Sequence, residues 1–384
     1  MAKPRIVCVV GTRPDTIKSA PVIQELRRYQ HVCETVVIAT GQHREMLAQA
    51  LETFDIVPNV DFAVMTPGQT LADITTRTLS QLDRYLAEHE AQIVLAQGDT
   101  TTTFVAGLAA FYRQIPFGHI EAGLRTPTIW SPFPEEFNRR AVGMFAALHF
   151  APTTESADNL RKEGITAGLH VTGNTGIDAV RQVAERSTAQ WADDHPGRVI
   201  LLTTHRRENW GAPQRAIARA ARALLDAFPD TLLIAAMHRN PAVREILRDE
   251  LGAHPRAQLI EPPEYADFVK LMQRAHLILT DSGGVQEEAP AFGRPVLVLR
   301  ETTERPEGVD AGVAKLVGAD YDTIVRSGSE LLSDPTAYAA MSQAQSPYGD
   351  GRAAQRIRYL VLRFLGIDAE PEAMWDSSKP SSTA

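Results

Sequence analysis

Two cysteines in 384 residues leave this chain without a disulfide framework or a thiolate zinc site. Cys8 sits inside the apolar run Ile6–Val10 and reads as core, and Cys33 stands alone. No stretch approaches the run of about 18 apolar residues that a membrane-spanning helix needs. The short N-terminal apolar run falls well below the length of a secretory signal. A cytoplasmic protein that meets no membrane is therefore expected. An excess of basic residues is missing too. The net charge of -8 excludes bulk nucleic-acid binding, whose footprint is positive. There is no G-x-G-x-x-G after the first strand-like run, no G-x-x-x-x-G-K-[ST], no H-E-x-x-H and no G-x-S-x-G. Nicotinamide, P-loop, zincin and α/β-hydrolase chemistry all lose their usual sequence support.

What is present is an ordinary globular composition, 44% hydrophobic and 22% charged, on a chain long enough for two domains. One unit recurs: a short apolar run, a polar or glycine-containing turn, then a helical stretch. Arg5 to Val10 leads into Gly11-Thr12-Arg13-Pro14, Thr35 to Ala39 into Gly41-Gln42-His43-Arg44, and Gln92 to Ala96 into Gly98-Asp99 and four threonines. Phe117 to Ile120 leads into Glu121, Arg198 to Leu202 into Thr203-Thr204-His205-Arg206-Arg207, and Leu232 to Ala236 into His238-Arg239-Asn240-Pro241. Alternating strands and helices predict α/β architecture with parallel, doubly wound sheets. We expect one domain over 1–175 and a second over 176–351, joined by the charged, strand-free stretch Gly176 to Gly197. A helix at about 352–366 should pack back on the first domain, and 367–384 reads as a disordered tail.

The unusual polar residues nearly all follow strands, where parallel sheets place their ligands. Two such domains facing one another would gather them in an interdomain cleft. The stretch Thr280 to Pro290 is the most pointed case. Ala275 to Leu279 predicts a strand and Val285 to Phe292 a helix, so Ser282, Gly283 and Gly284 would offer helix-start N–H groups to an anion such as phosphate. Glu287-Glu288, in the first turn of that helix, could cap it or accept two ribose hydroxyls. Each element has a plainer reading. Arg13 and Lys18 could lie on a solvated helix face, and Asp99 could be a helix N-cap. Glu135-Glu136 could be dipole-favoured carboxylates at a helix start, and His205 to Glu208 a surface charge cluster. Taken together they describe a site for a polyanion, with carboxylates able to do acid–base work.

The segments Gly11 to Lys18, Gly98 to Thr103, Gly118 to Thr126, Ser131 to Glu136, His205 to Glu208, Thr280 to Pro290, Thr302 to Glu307 and Pro347 to Gly351 resemble the non-hydrolysing UDP-N-acetylglucosamine 2-epimerases of bacteria. The resemblance runs from residue 5 to about 365. It implies a GT-B fold, two Rossmann-like domains with the nucleotide sugar in the cleft between them, usually as a homodimer. It also implies interconversion of UDP-GlcNAc and UDP-ManNAc with no cofactor, neither metal nor nicotinamide. Carbon 2 of the sugar has no adjacent carbonyl, so losing its proton must be coupled to departure of UDP, with 2-acetamidoglucal as intermediate.

By this resemblance Asp99, Glu121 and Glu135 serve the chemistry, with Lys18 and His205 beside them. Arg13, His205 and Arg305 hold phosphate, Ser282 and Gly283 supply helix-start contacts, Glu288 takes the ribose and Phe268 lies against uracil. Gln42, His43, Glu136 and Arg206 match an activator site for a second UDP-GlcNAc. The chain departs from the family pattern at Asp15, where Glu is usual, and at Gln97, where His commonly precedes Gly-Asp-Thr. It departs again at Thr204, where Gly is frequent, and at Arg239, where Leu is. Rival readings from other classes are a GT-B glycosyltransferase, a hydrolysing relative that releases free ManNAc, and an inactive nucleotide-sugar sensor.

Overall fold

The computed structural model describes residues 3–41, 44–66, 68–187, 191–192 and 194–376. Contacts divide them into two compact units. One holds the described residues up to Ala179 and those from Tyr348 onward, the other Val180–Pro347. The division falls inside the helix Thr175–Arg186 rather than ahead of it.

The first unit is built on a seven-stranded parallel sheet. Its strands are β1 (Arg5–Val10), β2 (Glu34–Ala39), β3 (Val60–Asp61), β4 (Ile93–Gln97), β5 (Phe117–Ile120), β6 (Leu148–Ala151) and β7 (Leu169–Val171), in the order β3-β2-β1-β4-β5-β6-β7. The central strands are buried on both faces, which is why they read as unbroken apolar runs rather than alternating ones. Val7, Val9, Ile38, Val94 and Phe117 pack with Leu82, Val105 and Ala109 from the helices Leu71–Glu88 and Thr101–Tyr112. Fully burying one such aliphatic side chain contributes about 1.5–3 kcal/mol.

The second unit repeats the plan with six strands: β8 (Arg198–Thr204), β9 (Thr231–Met237), β10 (Ala257–Ile260), β11 (Leu277–Thr280), β12 (Val296–Val298) and β13 (Ala314–Leu316). All are parallel, in the order β10-β9-β8-β11-β12-β13. Its core joins Ile200, Leu202, Leu233, Leu279 and Leu297 to Ile217, Leu224 and Leu225 of the helix Ala212–Ala227. The expected class, two Rossmann-like doubly wound sheets of GT-B type, is the one observed. In each sheet the winding direction reverses between two neighbouring strands, β1 and β4 in the first unit and β8 and β11 in the second. The carboxyl ends of those strands are where such sheets hold ligands.

Two expectations need correction. The helix of the Ser-Gly-Gly turn spans Gly283–Glu288, followed by a 3-10 turn over Ala289–Phe292, so Glu287-Glu288 end it instead of opening it. Pro290 lacks the N–H that a continuing α-helix would use. The stretch 367–376, assigned to a disordered tail, has no helix or strand but is packed. Arg352 pairs with Glu372 at 2.7 Å, Arg356 donates to the Ala373 carbonyl at 2.5 Å and lies over the Trp375 ring, and Trp375 is buried. Residues 377–384 of that tail lie outside the described residues. The preceding helix, Ala353–Phe364, lies against Arg13–Arg28, with Arg358 over the Tyr29 ring. Its first N–H groups, on Ala353 and Ala354, donate to the buried Asp178.

Candidate active site

In the first unit the turns after β1 and β4 are pressed together. A side chain at Gly11 would bring its Cβ to 2.1 Å from Thr102 Oγ1, which leaves room only for glycine. Asp15, at the start of the helix Arg13–Arg28, accepts from the Thr12 N–H at 2.7 Å and from Thr100 Oγ1 at 3.4 Å, tying the two turns. Burial pushes its carboxyl up to about 7 despite the hydrogen bonds from Thr12. Behind the β4 turn, His119 is buried with Nε2 on the Gly98 carbonyl at 2.7 Å, and burial lowers it to about 3. Glu121 follows β5 in the left-handed region, at φ 65°, a conformation that costs a non-glycine residue about 1–3 kcal/mol. Its carboxylate is held at both ends, Oε1 by the Lys18 ammonium and Oε2 by Gln97 Nε2 at 2.7 Å. Lys18 is therefore no solvated helix-face residue.

Asp99 is not the N-cap of the next helix. Thr100 fills that position and accepts from the Thr103 N–H. The Asp99 carboxylate instead takes an ion pair from Arg139 at 2.8 Å, and its carbonyl accepts from Asn138 at 2.9 Å. Both donors come from the helix Glu135–Gly143. Glu136 anchors that helix. It is fully buried, and accepts from Arg140 at 2.6 Å and from the Thr126 N–H at 3.0 Å, with Arg139 Nε at 3.4 Å. No oxygen of Glu136 faces solvent, and its carboxylate ties the loop at Thr126 to the helix. Glu135 differs from all of these. It is half-buried and has no side-chain partner among the described residues, and the same holds for Arg13.

In the second unit the turns after β8 and β11 meet on Asp281. This fully buried carboxylate accepts from the backbone N–H groups of His205 and Arg206 at 3.0 Å and from Asn209 Nδ2 at 2.9 Å. It also faces His205 Nδ1 at 3.0 Å. Burial alone would raise its carboxyl, but these donors outweigh burial and hold it below the usual carboxylate range. Asp281 occupies Nδ1, so Nε2 is the ring atom of His205 left for a ligand. Arg206 projects its guanidinium near Gly283, and its Nε is buried without a partner. Ser282 precedes the Gly283–Glu288 helix, and its hydroxyl makes no capping bond. Arg305 pairs with the buried Glu287, while Glu288, the next residue, is half-buried. Phe268 is half-buried on the helix Tyr265–Arg274.

Within its own unit, each set of candidates gathers at strand carboxyl ends: Arg13, Lys18, Asp99, Glu121 and Glu135 in the first, His205, Arg206, Ser282, Gly283 and Arg305 in the second. Gln42 and His43 lie outside the described residues. Asp281, Gln97, Asn138 and Arg139 were missed as functional residues. Asp281 was legible, as the acid between a strand and a Ser-Gly-Gly turn, and so was Arg139, one helical turn after Glu135. Among the described residues no three His, Cys, Asp or Glu side chains cluster as a metal site would require.

A family model described as UDP-N-acetylglucosamine 2-epimerase matches residues 24–362. The UDP-N-acetylglucosamine 2-epimerase of Bacillus subtilis (strain 168) is 49% identical over 373 residues, which is 96% of this chain and 98% of that protein. The structure of the Neisseria meningitidis UDP-GlcNAc 2-epimerase bound to UDP-GlcNAc superposes with a TM-score of 0.83 at 45% identity, covering 94% of this chain and all of that one. The S. aureus MnaA–UDP co-structure gives 0.86 at 43% identity, with 97% of this chain and 100% of that one covered.

Proposed function

The chain belongs to the UDP-N-acetylglucosamine 2-epimerase family and is an isomerase of that kind, and we propose that it inverts carbon 2 of UDP-GlcNAc by elimination and re-addition. A base removes the C2 proton. The C2–H electron pair forms the C1=C2 bond, and the C1–O bond breaks toward UDP, leaving 2-acetamidoglucal. UDP oxygen then adds back to C1 while a proton reaches C2 from the opposite face, giving UDP-ManNAc. This route calls on neither a metal nor a nicotinamide.

The observation that carries the reading is the difference among three strand-end carboxylates. Asp99 is paired with Arg139, Glu121 with Lys18 and Gln97, and Glu135 with nothing described. Groups in unlike environments suit unlike steps of proton transfer. We assign the acid–base work to these residues of the first unit. In the second unit His205, Arg305 and the N–H groups after Ser282 stabilise the departing diphosphate, together with Arg13, while Glu288 and Phe268 hold the nucleoside. The expectations of a cytoplasmic homodimer, and of a second UDP-GlcNAc as activator near Arg206, belong to the same proposal. Exposed Phe111, Tyr112 and Phe137 on two helices of the first unit, with Met144 just past the second, support a partner copy. No described helix is long and apolar enough to cross a membrane.

Proton NMR of UDP-GlcNAc with the protein in D₂O tests the proposal. UDP-ManNAc from the first turnovers should carry deuterium at C2, and long incubation should label the substrate and slowly release the glycal with UDP. Product that keeps its C2 hydrogen, or activity that depends on added NAD, overturns the elimination route. Free ManNAc with accumulating UDP marks the hydrolysing alternative, and no isomer at all the glycosyltransferase.

A further inference from the structure

Gln97 ends β4 and is 1% exposed. Register puts it directly beside Ile120, the residue before Glu121, so its side chain runs along the Glu121 carboxylate. Its own position is fixed from two sides. Its backbone carbonyl accepts from Thr103 Oγ1 at 2.6 Å, and its side-chain oxygen lies 3.4 Å from the buried Thr175 Oγ1. With the amide oxygen turned toward a hydroxyl, its nitrogen must face Glu121. The reverse orientation would set two oxygens against each other. Glu121 itself has a strained backbone at a positive φ, a conformation that persists only where surrounding contacts determine it.

We propose that Gln97 is a positioning residue for the reaction: its amide holds Glu121 Oε2 so that the carboxylate stays aimed while Lys18 engages Oε1. The amide neither gains nor loses a proton in any working range. The support it lends Glu121 is therefore independent of the protonation changes that catalysis imposes on the groups around it. Thr175 belongs to the same device one step back. This inference rests on the reading that Glu121 takes part in the chemistry.

Gln97→Met keeps the side-chain length and removes the donor, and Thr175→Val removes the hydroxyl that orients the amide. Losing one hydrogen bond to a charged group should lower kcat about 10–100-fold in Q97M, and about 3–10-fold in T175V, where the amide is loosened but present. The dissociation constant for UDP should stay within about twofold, since neither residue is assigned to the diphosphate. A merely structural role would lower melting temperature and UDP binding together. The decisive readout is a double-mutant cycle with Glu121→Gln. If Gln97 acts through Glu121, adding Q97M to E121Q should cost less than about twofold more. Q97M and T175V both with kcat within twofold of the parent, or a Q97M loss that multiplies fully onto E121Q, overturns the proposal. E121Q with unchanged turnover overturns the reading beneath it instead, so the two failures are distinguishable.

Discussion

Replacing Asp281 by asparagine should damage the second unit twice, in stability and in UDP binding. The wild-type carboxylate serves four N–H donors, namely the His205 and Arg206 backbones, Asn209 Nδ2 and His205 Nδ1, all between 2.9 and 3.0 Å. An amide keeps one oxygen. If that oxygen takes the Oδ2 position it still serves the His205 and Arg206 backbones and Asn209, and the new NH₂ faces the His205 ring. A donor left unpaired costs about 1–3 kcal/mol, so a loss of that size is expected. For a unit of this size that is a fall of roughly 3–10 °C in its melting transition. The ring of His205 would also lose the acceptor that fixes its orientation, and UDP affinity measured by calorimetry well below the transition should fall about tenfold. The sign with pH is also set. The folded carboxyl is held below its unfolded value of 3.8, so its stabilisation is present above that pH and is lost as pH falls through the folded value. D281N should therefore lose least relative to the parent in acid. A melting temperature within about 2 °C of the parent, with unchanged UDP affinity, would refute the argument.

E135Q should cut turnover about 10²–10⁴-fold while leaving the melt unmoved, because Glu135 has no partner among the described residues to orphan; near-normal turnover removes it from the chemistry. R13M should weaken UDP binding by about 1.5–3 kcal/mol without cost to stability, whereas R305M should do both, since it takes a paired cation from the buried Glu287. Calorimetry beside thermal melts separates the two outcomes. The pH profile of stability should respond to His149 and Asp178 in opposite senses. Burial holds His149 at about 4, below the unfolded 6.5, so its contribution is present above pH 6.5 and lost toward pH 4. Burial lifts Asp178 to about 7, so its contribution is lost as pH rises from 3.8 through 7. H149Q should flatten the acid side of the melting profile and D178N the neutral side, and identical profiles for both variants would contradict these environments.

The central strands were legible because parallel strands buried on both faces must be apolar throughout, and Arg5–Val10 and Phe117–Ile120 were read to the residue. The edge strands were not. β3 has two residues, β7 and β13 have three, and β10 is largely half-buried, so none offers a continuous apolar run. β6 hides for a different reason: His149 interrupts Leu148–Ala151 although all four residues are buried. The candidate site was legible as a set of loops, through Arg13, Asp99, Glu121, His205 and Ser282. Its internal wiring was not, because wiring depends on register. Gln97 meets Glu121 because β4 and β5 pair Gln97 with Ile120, and Arg139 meets Asp99 because a helix some 40 residues later returns to the β4 turn.

The same dependence on strand direction explains why empty space is a poor guide to function here. A surface cavity of about 990 Å³ opens at the amino ends of β1, β2 and β4, lined by Arg5, Arg27, Glu34 and Gln92. Its charges are already spent: Arg5 bonds Glu34 at 2.8 Å and the Glu90 carbonyl at 3.2 Å, and Arg27 bonds the Val57 carbonyl at 3.0 Å. At the opposite end of the same sheet, in the segments that follow β1 and β5, Glu135 and Arg13 have no described partner, Glu121 is held in a left-handed backbone, and Asp15 is buried at the cost of its ordinary acidity. Unspent charge and local strain are what a reaction can use, and both lie where the strands end.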